Sequence, residues 1–138
     1  MSVPAFRYRV SIDGQHHLFC SVSGLEISYG TVEIEEGSGD RFVVPGRRKF
    51  PEVSLRHGSA DGYQALYDWI SSISGSSVEK KDVTVALLDE TLSPAVTWTV
   101  IGAIPVTLTS LVHAEGSGRP VIGEFVLCGL GVTAEFTS

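Results

Sequence analysis

The residues best suited to metal binding or nucleophilic catalysis are the histidines and cysteines, and their spacing assembles no site. They are His16, His17, Cys20, His57, His113 and Cys128. No two histidines stand one helical turn apart, and neither cysteine has a second cysteine nearby, so we expect no metal site. The histidines fall at strand ends and in turns, where we expect them to be solvated. The cysteines fall in apolar strand patterns, where free thiols are commonly buried, so no catalytic Cys–His dyad is expected.

Other catalytic and cofactor-binding signatures are missing from the sequence as well. No Gly-x-Ser-x-Gly elbow occurs. The Gly-Ser-Gly segments at 37–39 and 116–118 do not lead from a strand into a helix, and no P-loop lysine accompanies them. Asp89 and Glu90 are adjacent acids in a turn pattern, without a facing partner for acid–base catalysis. We therefore expect no catalytic residues, no cofactor and no enzymatic activity.

Length and composition predict a single domain over residues 1–138. A hydrophobic content of 43% with only 19% charged residues excludes a disordered or coiled-coil chain. The net charge of −6 argues against nucleic-acid binding, since phosphate contacts need clustered lysines and arginines. No apolar run reaches the roughly 18 residues that would cross a bilayer, so no membrane insertion is expected. The first residues lack the features of a signal peptide, which predicts synthesis in the cytoplasm with Cys20 and Cys128 as reduced thiols.

One stretch, residues 61–74, carries helical spacing. Its apolar residues recur every three or four positions, and they are Tyr63, Leu66, Tyr67, Ile70 and Ile73, with Trp69 beside them. Asp61 is the predicted N-cap, Gln64 completes a capping box, and Gly75 supplies a left-handed stop. We expect this apolar stripe to pack against a sheet.

The rest of the chain has the alternation typical of strands. Residues 6–12 alternate, Asp13-Gly14 predicts a tight turn, and Leu18, Cys20 and Val22 are expected on the inner face of the next strand. The alternation changes phase at Gly30, which indicates a bulge. Eight or nine such segments and one helix predict a mainly β fold, an antiparallel β-barrel or sandwich with one flanking α-helix.

Residues 36–49 have no clear periodicity. They combine glycines, Pro45-Gly46 and several charged residues, and we expect a long loop. Loops of this length in compact domains usually have a function. The charged candidates in it are Glu36, Asp40, Arg41, Arg47, Arg48 and Lys49.

Several sequence blocks occur in an order and spacing that resemble a known family. They are Phe6-x-x-x-Val10-x-Ile-Asp-Gly14, Cys20-Ser-Val-Ser-Gly-Leu25, Pro45-Gly46 ahead of Val53-Ser-Leu-Arg-His-Gly58, Leu66-x-Asp-Trp-Ile70, and the later segments 83–90, 98–105 and 123–130. Taken together, they resemble the tail-tube proteins of contractile phage tails and of phage-tail-like extracellular contractile injection systems. Type VI secretion tube proteins are similar in fold.

The resemblance implies a structural role. Subunits of this family close into hexameric rings, and the rings stack head to tail into a tube that a contracting sheath drives forward. The implied partners are other copies of the chain, sheath proteins, and baseplate or tube-initiating proteins, with cargo in the lumen. The implied location is a phage tail or phage-tail-like particle. Within the same class, a tube-initiating or baseplate-proximal ring is an alternative, and from a different class a small β-barrel that binds a ligand.

The charged segment 36–49 then becomes a candidate ring-to-ring contact, in which paired charges set the register between rings. Its acidic side, residues 33–40, and its basic run, residues 47–49, would meet different patches on neighbouring copies. A mobile surface loop is the alternative interpretation of the same segment.

Overall fold

The computed structural model describes residues 6–111 and 121–136 of the chain. In those ranges it contains nine strands, one 3₁₀ turn and one α-helix. In chain order these are β1 Tyr8–Ile12, β2 Gln15–Ser23, β3 Tyr29–Glu35, β4 Arg41–Arg48, β5 Glu52–Gly58, the 3₁₀ turn Ala60–Gly62, α1 Tyr63–Ser71, β6 Lys81–Leu88, β7 Pro94–Leu111, β8 Val121–Cys128 and β9 Gly131–Phe136. His113 and the second Gly-Ser-Gly segment, at 116–118, lie outside the described residues.

Six of the strands close into an antiparallel barrel. Neighbouring strands follow the order β6-β1-β2-β5-β8-β7, and β7 pairs back with β6. The β1–β2 hairpin forms as predicted, because Asp13 and Gly14 both adopt positive φ angles, 52° and 79°, as a two-residue hairpin turn requires. The predicted mainly β barrel with one flanking helix is confirmed.

Strand β7 runs without interruption through Gly102 and Pro105, two residue types that often end a strand. Its first half lies between β6 and β9, and its second half pairs with β8. Gly102 has a φ of 59°, which allows the strand to bend without ending. Strands β8 and β9 both run antiparallel to β7, and Gly129-Leu130 separates them.

The barrel interior is apolar and fully buried. Its largest fully buried side chains are Phe19, Phe125, Leu55, Leu66, Ile122 and Leu127. In β6, Val83 and Val85 point into this core while Ala86 is buried on the other face, so the strand is covered on both sides.

Helix α1 packs against one end of the barrel through Leu66 and Trp69. The Trp69 ring lies 6.0 Å from the ring of Phe125, and its Nε1 donates a hydrogen bond to the carbonyl of Glu79 at 2.8 Å. Lys81, the first residue of β6, lies over the Trp69 ring and pairs with Asp13 in the β1–β2 turn. The predicted stripe is wrong in part, because Tyr67 and Ile73 are exposed. The contact rests on Trp69 instead.

The ends of the helix also differ from the prediction. Gly62 is the N-cap, with no side-chain cap bond, because residues 60–62 form a 3₁₀ turn that moves Asp61 out of the capping position. Gln64 donates to Asp68 one turn along and not back to the cap. Gly75 has a left-handed φ of 59° but lies in the turn between Ser74 and Ser77, since the helix already ends at Ser71.

The predicted inner face of β2 is wrong in its first half. His17 and Phe19 point inward and Leu18 is exposed, because these two residues lie directly opposite Val10 and Tyr8 of β1. Residues directly opposite in an antiparallel pair share a face, so the inner face of β1 determines that of β2. Val22 turns inward again opposite Leu55 of β5, as predicted.

Residues 36–49 do not form the predicted long loop. Residues 41–48 are strand β4, which pairs with β3 as a separate two-stranded sheet. The expected bulge at Gly30 is confirmed by a register shift between Tyr29 and Thr31. Neither face of β4 is deeply buried, so its sequence lacks the apolar alternation of a core strand.

The Trp69→Ala variant should lose about 3–5 kcal/mol of unfolding free energy, because it removes the side chain that seats the helix on the barrel. The matched variant Tyr67→Ala, on the exposed face of the same helix, should lose less than about 1 kcal/mol. Urea unfolding followed by circular dichroism measures both. Equal losses in the two variants would show that Trp69 does not anchor the helix.

Candidate assembly surfaces

The β3–β4 hairpin stands apart from the barrel. Its strands pair only with each other in the described structure. At its base the amide of Lys49 donates to the carbonyl of Ser28 at 2.7 Å, and at its tip the amide of Glu36 donates to the carbonyl of Asp40 at 2.9 Å. The hairpin is therefore an ordered projection joined to the barrel through the ends of β2 and β5.

One face of this hairpin is apolar and open. Val32 lies opposite Val44 and Ile34 opposite Phe42, so the four side chains share a face. Val32, Ile34 and Phe42 are 48%, 38% and 41% exposed. We call these four residues the apolar hairpin face.

The charged candidate residues all fall on this hairpin, in two groups. Glu36 and Asp40 lie at the tip with Arg41, the first residue of β4. Arg47 and Arg48 end β4 at the base, and Lys49 follows. Arg47 follows Arg41 by six positions, so the two groups stand about 20 Å apart along the strand.

Among the described residues, ion pairs form at the tip of the hairpin and not at its base. Arg41 contacts Glu33 at 3.1 Å and Glu35 at 3.8 Å, with all three side chains largely exposed, so the pairs stabilise the hairpin little. Arg48 lies over the Tyr29 ring at 5.8 Å. Glu33 and Glu35 were not identified from the sequence as the partners of Arg41. Their alternation with Val32 and Ile34 could have indicated that both lie on the same face of a strand.

Strand β9 is an edge strand. It pairs with β7 from Val96↔Phe136 to Ile101↔Gly131, and no strand in the described residues pairs with its other side. Phe136 is 75% exposed near its end. An edge with unpaired backbone groups and an exposed aromatic residue is a template for pairing with another chain.

A polar face extends across four strands of the barrel. Two rows of mutually opposite residues form it, and they are Ser21–Arg56–Glu124–Thr109 and Ser23–Ser54–Val126–Thr107 on β2, β5, β8 and β7. Ser54 donates to Glu124 at 2.6 Å and Arg56 contacts it at 3.3 Å. These hydrogen bonds, the one from Ser54 first, lower the pKa of Glu124. The face therefore carries hydroxyl groups and a compensated ion pair.

The histidines do not assemble a site in the described structure. His17 is only 4% exposed, so the expectation that it is solvated is wrong. Its Nδ1 has no hydrogen-bond partner among the described residues, and it lies so close to Gly62 that a Cβ there would fall 2.1 Å away. Burial, with a smaller effect from His16, lowers the pKa of His17 below its ordinary value. His16 bonds Ser11 at 2.8 Å, and His57 is exposed on β5.

The cysteines are free, half-buried thiols on β2 and β8. Within residues 6–111 and 121–136, no three histidine, cysteine or carboxylate residues are grouped as metal ligands would be. In the same ranges, no helix has the length and hydrophobicity of a membrane span.

Comparison with known proteins points to a tube-forming family. The family model described as T4-like virus tail tube protein gp19 matches residues 4–118. A chain of the PVC sheath-tube complex of an extracellular contractile injection system, in its extended state, is similar with a TM-score of 0.79 and 36% identity, covering 99% of this chain and 93% of that one. A chain of the anti-feeding prophage tube-terminating cap is similar with a TM-score of 0.78 and 33% identity, at the same coverage.

A more distant structure shares the fold. Hcp1 from Flavobacterium johnsoniae has a TM-score of 0.62 at 14% identity, covering 96% of this chain and 97% of its own. No curated protein matches the sequence.

The buried His17 should make stability depend on pH. Its pKa is about 6.5 when unfolded and lower when folded, so as pH falls below about 6.5 the unfolded state takes up the proton first and stability decreases. Between pH 7.5 and 5.5, wild-type protein should therefore lose more unfolding free energy than His17→Gln. The control His57→Asn should keep the wild-type slope. Urea unfolding at several pH values measures this, and parallel slopes for all three proteins would contradict it.

Proposed function

The chain belongs to the T4-like tail tube protein family, and from this premise we propose that its copies close into hexameric rings that stack head to tail into a hollow tube. It is a tube protein of contractile injection systems. In the proposed role it acts as one structural domain without catalysis, inside a sheath and above a baseplate, in a phage tail or phage-tail-like particle.

The observation that carries the proposal is the apolar hairpin face. A two-stranded hairpin is at best marginally stable in water, and this one exposes Val32, Ile34 and Phe42 beside a barrel that it does not cover. A second copy of the chain would supply the missing partner surface and bury these side chains. Assembly of identical subunits thus explains why an ordered, apolar hairpin projects from the molecule.

The edge of β9 supports lateral association. A strand of a neighbouring subunit could pair with its free side and cover Phe136. The hairpin and the β9 edge are different surfaces, so contacts between them would be heterologous and would close a ring only at a fixed rotation. The six-fold closure follows from the family resemblance.

The polar face supports a water-filled lumen. Its hydroxyl groups and the Arg56–Glu124 pair suit contact with water, while the opposite side of the same strands packs in the barrel core. We assign this face to the channel, where cargo would pass.

The hairpin supports stacking of rings. It leaves the barrel between β2 and β5, so its charged residues lie at one end of the subunit. Glu36, Asp40 and Arg41 are at the projecting tip, and Arg47, Arg48 and Lys49 are at the base. Charges that meet a complementary patch on the next ring would set the rotation between rings.

Negative-stain electron microscopy and mass photometry of the purified protein across a concentration series test the proposal. We expect six-fold rings and hollow tubes. Rings that never stack would favour the tube-initiating alternative. A protein that remains a monomer at high concentration, and whose thermal stability rises with a small ligand, would favour the ligand-binding barrel and contradict the proposal.

Charge reversal at Arg47 and Arg48 should block tube elongation while leaving the subunit folded, because both side chains are exposed and contribute nothing to the core. The control Arg7→Glu reverses an exposed charge outside the hairpin. Sedimentation of tubes measures assembly and circular dichroism measures folding. Tubes of normal length from the Arg47→Glu, Arg48→Glu protein would refute a role of this run in stacking.

A further inference from the structure

A cavity lies between helix α1 and the start of the barrel strands. It has a volume of about 300 Å³ and is bordered by Asp13, His17, Asp68, Trp69, Glu79 and Lys81. These residues come from the β1–β2 turn, the helix and the segment that leads into β6. The cavity opens beside the contact that seats the helix on the barrel, and the proposed tube function so far leaves it unused.

The charge of the cavity lining is negative. The residues that border it include three acids, Asp13, Asp68 and Glu79, and one lysine, Lys81. The Lys81 ammonium group already pairs with Asp13 and lies 5.4 Å from the centre of the Trp69 ring. Asp68 accepts a hydrogen bond from the neutral amide of Gln64, which leaves its charge uncompensated. In the described structure no cation pairs with Glu79.

His17 adds a second indication of a polar ligand. Its imidazole lines the cavity, is nine-tenths or more buried, and has an Nδ1 without a hydrogen-bond partner in the described part of the chain. Burial keeps the pKa of His17 low, so at neutral pH the ring is uncharged and does not offset the carboxylates. Because Nδ1 packs against Gly62, Nε2 is the ring nitrogen left to meet a polar group in the cavity.

The cavity and the basic run of the hairpin lie at opposite ends of the molecule. Strand β2 begins at Gln15 beside the cavity and ends at Ser23, where the chain leaves for the hairpin. Strand β5 returns antiparallel from the hairpin toward the 3₁₀ turn and the helix. Because β2 has nine residues, about 30 Å of strand separates the two ends.

The basic run has side chains available for a partner. Arg47 and Lys49 are exposed, and neither is paired with a carboxylate within residues 6–111 or 121–136. When two copies stack head to tail, the hairpin end of one faces the cavity end of the next. In the proposed stack, Arg47 and Lys49 of one copy would therefore face the acidic residues that border the cavity of the next.

We propose that the cavity is the acceptor site for a basic side chain of the next copy in the stack, supplied by Arg47 or Lys49. The cavity carboxylates neutralise the incoming cation, and His17 and the Trp69 indole form a partly desolvated wall around it, where a charge pair is screened less than at the surface. This inference rests on the proposed stacking of rings and names the two surfaces that meet.

The test compares tube formation by wild-type protein, Glu79→Lys, and the swapped variant that carries both Glu79→Lys and Arg47→Glu. We expect Glu79→Lys to raise the concentration needed for tube formation about tenfold or more, and the swap to recover most of that loss. The control Glu90→Lys makes the same charge change in the turn after β6, at the other end of that strand from the cavity, so Arg47→Glu should not rescue any loss that it causes. Circular dichroism verifies that each variant folds.

Cysteine cross-linking tests the contact directly if Glu79→Lys fails to fold. Chains carrying Arg47→Cys are mixed with chains carrying Glu79→Cys, both in a Cys20→Ser, Cys128→Ser background, and oxidised after assembly. Linked dimers should exceed those formed with Glu90→Cys at least tenfold. Cross-linking no better than this control would overturn the inference.

The outcomes separate the two proposals. Wild-type protein that forms no rings or tubes contradicts the tube function itself. If wild-type protein and Glu79→Lys both form normal tubes, only the acceptor site is overturned. The same holds if Glu79→Lys tubes assemble but fail to bind a sheath, because the cavity would then contact a different protein.

Discussion

Closure of the barrel through the pairing of β6 with β7 is the constraint on which the rest of the structure depends. The first half of β7 pairs with β6 and β9, and its second half pairs with β8. A single bent strand therefore connects β6, at one edge of the strand order, with β8. Closure satisfies the backbone of six strands, and among the described strands it leaves the edge of β9 and the β3–β4 hairpin outside the barrel. Both present groups that a strand or an apolar surface of another chain can cover.

The closed barrel also separates the molecule into surfaces with different tasks. Its inside is filled by residues such as Phe19 and Phe125, so it offers no channel within one subunit. A tube made from such subunits must have its lumen between copies, on an outer face. The face with the Arg56–Glu124 pair has the polarity for this, and the helix closes one end of the barrel. Two unlike ends are what head-to-tail stacking needs.

Local patterns predicted the elements well, and long-range contacts accounted for the errors. The Asp13-Gly14 turn and the bulge near Gly30 were confirmed because both depend on the backbone preferences of neighbouring residues. Burial of His17 was missed because it depends on Val10, seven positions earlier, lying opposite. Strand β4 was missed because its residues stay exposed, so no buried face marks the sequence. The charged residues of the hairpin were identified as candidates from their residue types. The sequence did not show that they divide into one group at the hairpin tip and another at its base.

From the amino-acid sequence alone, a mainly β chain with one helix could be predicted, and its sequence blocks resembled those of the tail-tube family. These features depend on residue types and on the spacing between residues that are close in the chain. Only the tertiary structure decided that the hairpin stands free of the barrel, that β9 is an edge, and that an acidic cavity lies at the end opposite Arg47 and Lys49. Each of these depends on which distant strands pair, and pairing between distant strands leaves no local pattern in the chain.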